Sequence, residues 1–191
     1  MGLQIPELWI LRHGEIEWNV AGRLQGHLDS PLTETGLAQA RAQRDILARI
    51  LPGRVPVLSS PSGRAWRCAR IIAEGLDLPL SAEAALREID IGAWHGRRIE
   101  EIRAADPARI GDDPHLWKFA APGGESMEAM VARLDALLAR LEGPTVLVTH
   151  GVTSRVLRCL VLGRPPEELA QLPGGQGVVH HLRDGRARLL G

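Results

Sequence analysis

The sequence predicts an α/β protein, a three-layer sandwich in which a mostly parallel central sheet carries helices on both faces. Three observations predict it. Short apolar runs alternate through most of the chain with longer segments whose apolar residues recur at helical spacing, and that alternation gives a parallel sheet covered on both sides. Two of the strand-like runs, Leu8-Trp9-Ile10-Leu11 and Thr145-Val146-Leu147-Val148, lead into a histidine followed by glycine, His13-Gly14 and His150-Gly151. A length of 191 residues suffices for one sizeable core, so the reading is a single domain over 1–191.

The elements follow in order. Leu8 to Leu11 is a short buried strand, and Glu15 to Pro31, with Gly22, Gly26 and Pro31 and no regular period, is a long loop over its end. Long ordered loops usually carry function. A helix runs from about Thr33 to Leu51 with Leu37, Ala40, Leu47 and Leu51 on one face, capped by Thr33 or Thr35 and ended by Pro52-Gly53. Pro56 to Ser59 is the second strand, and Pro61 to Gly75 a helix that turns Ala65, Cys68, Ala69 and Ile72 inward and holds Arg64 in its first turn. Leu78 to Ala82 is a short third strand, and Leu86 to Gly96 is rich in turns and exposes Glu88. Short helices broken at Pro107 and Pro114 fill Ile99 to Phe119, and the stretch 97–123 reads as a lid or small subdomain. Met127, Met130, Val131, Leu134, Leu138 and Leu141 form a helical stripe that belongs to the core. After Thr145 to Val148 comes a helix from Thr153 to Leu162, a break at Pro165-Pro166, and a hairpin over Gly177 to Leu190 turning at Asp184-Gly185, whose outer strand is free to pair.

Composition narrows the function classes. Lys+Arg and Asp+Glu each total 23, so formal charge is zero and no general affinity for nucleic acid or an anionic membrane is expected. No apolar run is long enough to span a bilayer and no basic segment precedes an apolar one, which predicts a cytoplasmic protein without signal peptide or transmembrane helix. Pro6 stands where a myristoylation signal needs Ser or Thr. Cys68 and Cys159, inside helical patterns and without CxxC spacing, are expected as buried free thiols. The remaining histidines, His27, His95, His115, His180 and His181, show no ligand spacing, so no metal and no cofactor are expected.

Four segments carry the chemistry: Leu11-Arg12-His13-Gly14-Glu15, Ser59-Ser60-Pro61-Ser62-Gly63-Arg64-Ala65, Leu86-Arg87-Glu88-Ile89-Asp90-Ile91-Gly92-Ala93-Trp94-His95-Gly96 and Val148-Thr149-His150-Gly151. In this order and at these separations the chain resembles the histidine phosphatase superfamily, which also contains cofactor-dependent phosphoglycerate mutase. The resemblance covers about residues 8 to 160 and implies a phosphoglycerate mutase-like fold. It implies that Glu88 is the acid, and that Asn19, Gln25 and Gly26 line a phosphate pocket. His27, Trp94, His95, Trp117, Lys118 and Ser126 stand at the edge of lid or pocket, with structural roles the first expectation.

The residues themselves fit phosphoryl transfer. Ligands of an open parallel sheet bind at the carboxyl ends of its strands, where His13, Arg64 and His150 all lie. Arg12 and Arg64 present forked donors to phosphate oxygens, and a charged His150 would add another. A neutral His13 can attack phosphorus if a backbone carbonyl holds its other nitrogen. Glu88, next to phosphate charge, should have a raised pKa and protonate the leaving alkoxide.

The expected function is hydrolysis of a small phosphomonoester through a phosphohistidine on His13. Gly151 is followed by Val152 where the mutases have Asn, and Gly96 to Gly123 is short for a mutase insertion, although Arg97, Arg98 and Arg103 leave cationic potential there. Arg23 to Thr33 likewise resembles the short phosphatase branch. Ile16 replaces the usual Thr, and His95 the usual Glu. The alternatives are a cofactor-dependent phosphoglycerate mutase and a non-catalytic module that binds phospholigands. A small phosphorylated substrate is the expected partner, and the chain is read as monomer or homodimer.

Overall fold

Alternation along two strands decides the layers. The computed structural model describes residues 5–191. Strand β1 (Leu8–Arg12) turns Leu8 and Ile10 to one face and Trp9 and Leu11 to the other, all four fully buried. Its neighbour β4 (Thr145–Thr149) does the same with Leu147 against Val146 and Val148. A strand apolar on both faces needs cover on both, and the helices supply it.

Helices α2 (Glu34–Ile50) and α3 (Gly63–Leu76) cover the face of Trp9, Leu11, Val146 and Val148. Helices α5 (Met127–Leu138) and α6 (Gly151–Val161) cover the face of Leu8, Ile10 and Leu147. Strands β2 (Val57–Ser59), β3 (Leu80–Ala82), β5 (Val179–Arg183) and β6 (Arg186–Leu190) complete one six-stranded sheet of order β3-β2-β4-β1-β5-β6. The β3-β2-β4-β1 pairs are parallel and the C-terminal hairpin adds β5 and β6 antiparallel. The three-layer, mostly parallel reading is what the structure has. Cys68 and Cys159 are free and buried, and no helix of the described residues is long and apolar enough to cross a membrane.

The hairpin turns where expected, with Asp184 at φ 51° and Gly185 at φ 69°. Two positive φ values match a tight turn to the strands' right-handed twist. Segment 97–123 holds α4 (Ile99–Ala105) and 3-10 turns at Pro107–Arg109 and Leu116–Ala120, broken near the two prolines. It joins the α5/α6 side of the core through Ile102 and Trp117, whose ring lies 5.6 Å from that of Trp94.

Four local expectations are corrected. The first loop contains a four-residue helix, α1 (Glu17–Val20), held by a reciprocal cap between Ile16 and Asn19. Helix α2 buries Gly36, Ala40, Gln43, Ile46 and Leu47, while Leu37 and Leu51 stay half-buried, because Gln43 bonds the carbonyls of Arg12 and Val178 at 3.0 Å each. Helix α6 begins at Gly151 with His150 as its N-cap, two residues before the expected Thr153. The stripe on α5 also includes Leu137, with Met127, Val131 and Leu141 only half-buried.

Candidate active site

Parallel pairing brings the two His-Gly segments together. β1 and β4 run in register to Arg12 opposite Thr149, and the His13 N–H donates to the Thr149 carbonyl at 3.0 Å. The next residue on each strand is therefore a histidine, and the two rings stand edge to face with centroids 5.2 Å apart. β2 stops one step earlier, at Ser59 opposite Val148, so Ser60 reaches His150 with its hydroxyl 2.8 Å from Nε2.

The tautomer of His13 follows from one contact. Nδ1 lies 2.7 Å from the Gly14 carbonyl, which only accepts, so Nδ1 carries the proton and Nε2 keeps its lone pair. Burial first, then His150, Arg12 and Arg64, push the His13 pKa well below its ordinary value, and the ring is neutral. Gly14 is required by backbone: a Cβ there would stand 2.2 Å from the Gly36 carbonyl oxygen.

His150 is likewise neutral, with its pKa pushed well down by burial and then by Arg64 and Arg12. The expectation of a charged His150 is thereby overturned, since the site already holds two guanidinium groups. A neutral ring still donates once. Its Nδ1 is buried without a protein partner and is the ring nitrogen left for a ligand, while Nε2 lies against the Ser60 hydroxyl.

The two arginines differ. Arg12 has its Nε buried without a partner, and Gly151 leaves it room: the Cβ absent there would lie 3.5 Å from Arg12 Nε and 3.7 Å from Glu88 Oε2. Arg64 is buried in the first turn of α3 and tied to the first loop, donating to the carbonyls of Leu28 and Gly26 at 2.6 and 2.8 Å and to Asp29 at 3.1 Å. Its Nε remains unpartnered and Nη2 keeps one N–H beyond the Gly26 bond, so two of the five donors are free where the sequence had offered the whole fork.

Glu88 meets the amino end of α6. Its carboxylate accepts from the N–H groups of Val152 (3.2 Å) and Thr153 (3.1 Å), from the Thr153 hydroxyl (3.0 Å) and from the N–H of Ile89 (3.1 Å). Burial alone would raise its pKa. The Lys118 ammonium and the three N–H groups outweigh burial and hold the carboxyl below its ordinary range. The early start of α6 supplies two of those N–H donors, Val152 and Thr153.

The residues expected to line the pocket play mixed parts. Asn19 Oδ1 accepts from the Ile16 N–H (3.4 Å) and from Gln176 Nε2 (3.3 Å), and Gln176 also donates to the His13 carbonyl at 3.2 Å. Gln25 turns its amide back to the Arg23 carbonyl. Gly26, at φ 49°, serves Arg64 through its carbonyl, and a Cβ there would lie 2.5 Å from His95 Nε2. Ser60, Thr153, Arg155, His115 and Gln176 were not singled out from sequence. Ser60 had a signal in its place just past a strand, whereas Arg155 is one of many arginines and Gln176 sits far along the chain.

His13, Arg12, Arg64, Glu88 and His150 thus surround one point at the carboxyl edge of the sheet. Comparison with known proteins bears on what such a set does. Residues 8–188 match the family model described as histidine phosphatase superfamily (branch 1). A probable phosphoglycerate mutase of Klebsiella pneumoniae is 36% identical over 173 residues, spanning 83% of this chain and 76% of that one. Among solved structures, a Bacillus stearothermophilus protein is 32% identical with TM-score 0.81, covering 96% of this chain and 95% of that one. A mycobacterial glucosyl-3-phosphoglycerate phosphatase in complex with VO3 is 33% identical with TM-score 0.79 and 96% coverage of each chain. A putative α-ribazole-5'-P phosphatase from Escherichia coli is 26% identical with TM-score 0.79, covering 97% and 95%.

Proposed function

The chain belongs to the histidine phosphatase superfamily, and from that premise we propose that it is a phosphomonoesterase that hydrolyses a small phosphorylated metabolite through a phosphohistidine on His13. The observation that carries the reading is the contact of His13 Nδ1 with the Gly14 carbonyl, which frees Nε2 beside Arg12, Arg64 and His150. The 1–191 chain acts as one catalytic domain in the cytoplasm with 97–123 as its lid, and the chemistry assigned here uses no metal.

In the first step Nε2 of His13 attacks phosphorus and the ester P–O bond breaks. Arg12, Arg64 Nε and the Nδ1–H of His150 donate to the three equatorial oxygens, where charge accumulates. The leaving alkoxide takes a proton from Glu88. The carboxyl sits low in pKa against Lys118 and the α6 amides, and arrival of a phosphoryl dianion opposes those charges and raises it toward the protonated form. In the second step Glu88 takes a proton from water, the water oxygen bonds to phosphorus, the N–P bond breaks, and inorganic phosphate leaves. Asn19, Gln25 and Gly26 border the same pocket, Gly26 by fixing Arg64.

The test is phosphate release from p-nitrophenyl phosphate and natural monoesters in EDTA, for the parent and His13→Ala. Release that vanishes in the variant supports the reading, together with an acid-labile, base-stable phosphoenzyme. A variant that still turns over would overturn it. The mutase alternative draws on the mutase-named relatives and predicts interconversion of 3- and 2-phosphoglycerate without net phosphate release. Against it, the phosphatase-named neighbour in complex with VO3 matches over 96% of both chains, while the mutase-named relative exceeds the match in length. A non-catalytic phospholigand-binding module would show no turnover in either protein, and equal binding of phosphate esters by both.

A further inference from the structure

Three consecutive carbonyls in the segment that carries Glu88 are each held by a side chain from another element. The Thr149 hydroxyl, at the end of β4, donates to the Leu86 carbonyl at 2.7 Å. The Thr153 hydroxyl, in the first turn of α6, reaches the Arg87 carbonyl at 2.8 Å. His27 Nε2, from the first loop, lies 3.0 Å from the Glu88 carbonyl. Of the two hydroxyls, only that of Thr153 has a second acceptor among the described residues, Glu88 Oε1 at 3.0 Å. A hydroxyl has one proton to donate, so the fully buried Thr153 serves the Arg87 carbonyl or Oε1 at any moment, not both.

The two oxygens of Glu88 are unequally loaded. Oε1 accepts from the backbone N–H groups of Ile89 and Thr153 at 3.1 Å each, which fills both of its lone pairs before the hydroxyl is counted. Among the described residues Oε2 accepts from the Val152 N–H alone, at 3.2 Å, and keeps one lone pair. A Cβ on Gly151 would lie 3.7 Å from Oε2 and 3.5 Å from Arg12 Nε, so these two atoms border one gap. The proton that Glu88 gives to the leaving alkoxide, and later takes from water, therefore belongs on Oε2.

We propose that Thr153 is the positioning residue for this proton: its hydroxyl turns to Oε1 when Glu88 is ionised and to the Arg87 carbonyl when Glu88 is protonated on Oε2. This rests on the phosphatase reading, in which Glu88 is first acid and then base. As the O–H of Glu88 breaks and its proton bonds to the alkoxide oxygen, negative charge spreads onto Oε1 and makes it the better acceptor. When water returns a proton to Oε2, Oε1 is again a neutral carbonyl oxygen and the hydroxyl swings back. Thr153 keeps its own proton throughout and makes or breaks no covalent bond. Four cations also favour the ionised form: Arg12 of β1, Arg64 of α3, Lys118 of the Leu116–Ala120 turn and Arg155 of α6, with the His115 ring as a further titratable neighbour. All of them are unchanged by a substitution at Thr153, so a difference between variants isolates the hydroxyl.

The experiment follows the Glu88 carboxyl by carbon NMR in glutamate-labelled protein with inorganic phosphate bound, the signal being assigned by its absence in Glu88→Gln. Thr153→Val removes the hydroxyl and keeps the shape and the backbone N–H. The ionised form then loses one charge-assisted donor, so Glu88 is expected to titrate about half to one pH unit higher, with Thr153→Ser restoring the parent titration. The alkaline limb of kcat/KM for an alkyl phosphate should move up with it while the plateau falls, as for a weaker acid. Hydrolysis of p-nitrophenyl phosphate, which needs no acid, should keep its profile. Thr149→Val removes a carbonyl tie alone and is expected to leave the Glu88 titration in place.

A Glu88 titration unmoved in Thr153→Val, moved equally by Thr149→Val, or not restored by Thr153→Ser overturns the assignment. Thr153→Ala gives the same reading if the Val variant fails to fold. The titration needs no turnover, and loss of p-nitrophenyl phosphate hydrolysis in His13→Ala separately tests the phosphatase reading. That reading can stand while the role of Thr153 falls.

Discussion

Buried between two guanidinium groups and a second imidazole, His13 stays unprotonated at neutral pH, and the Gly14 carbonyl decides which nitrogen is bare. Each partner then has a separable expected effect. Glu88→Gln keeps the shape and removes the transferable proton, so alkyl phosphates should lose about 10²- to 10⁴-fold in kcat. p-Nitrophenyl phosphate, whose leaving group departs as a stable phenolate, should lose far less. Equal losses on both would remove Glu88 from the role of acid. Ser60→Ala deletes the 2.8 Å contact to His150 Nε2 and frees the ring to place its proton on either nitrogen. At about 1 kcal/mol for such a bond, kcat should fall about five- to tenfold with KM little changed, and an unchanged kcat would show that His150 needs no such orientation. His13, Arg12, Arg64, His150 and Glu88 were legible in sequence because each lies in a short motif. The electrostatics were not, since the low pKa of Glu88 comes from Lys118 and the N–H groups of Thr153 and Val152, distant in sequence and brought together by the fold.

At the scale of elements, the same residue type serves opposite ends. Gly14 and Gly36 lie back to back where the end of β1 meets the start of α2: a Cβ on either would fall within 2.2 Å of a backbone oxygen, Gly36 O in one case and Glu15 O in the other. Gly14→Ala must push helix and strand apart at the nucleophile, so a loss of several kcal/mol, in the range of severe core defects, is expected along with activity. Gly185→Ala meets nothing within 4 Å and suffers only its φ of 69°, which costs about 1–2 kcal/mol in left-handed backbone, with activity intact. Urea midpoints and turnover for the two variants check both, and a mild Gly14→Ala would disprove the close-approach argument. The hairpin was readable because Asp-Gly is a local signal. The start of α6 was not, because residues after β4 read equally well as loop until Glu88 is seen accepting from Val152 and Thr153. The buried Gln43 on α2 was missed for a similar reason: its partners, Arg12 and Val178, lie on strands remote in sequence.

For the whole molecule, the layers were legible because both core strands are apolar on both faces, whereas the charge state of its histidines depends on burial that only the assembled layers create. His13 and His150 are pushed well below the usual imidazole value, each by burial first, and burial also lowers His115 to about 4 and His180 to about 3. In the unfolded chain all four titrate near 6.5. Below that pH the unfolded state binds protons that the folded state refuses, so stability falls as pH drops from about 6.5 toward the folded pKa values. Each buried group contributes a slope that approaches about 1.4 kcal/mol per pH unit well below 6.5, and His13, His150 and His180 act in the same direction between pH 6 and 5. His115 is half-exposed and screened by solvent, so it adds only a fraction. Glu88, held low, keeps its contribution above about pH 4.5, its unfolded value, and loses it only as pH falls through the folded one. The steep loss from pH 6.5 to 5 is therefore a histidine effect. Against a total of about 5–15 kcal/mol, their combined loss should lower Tm markedly over this range while pH 7 to 8 leaves it flat. His150→Gln, which removes one of the titrating rings, should make the slope measurably shallower. A Tm that stays level from pH 7 to 5, or a slope that the variant leaves unchanged, would mean that these rings take up protons without unfolding and that the core around the site is open to water.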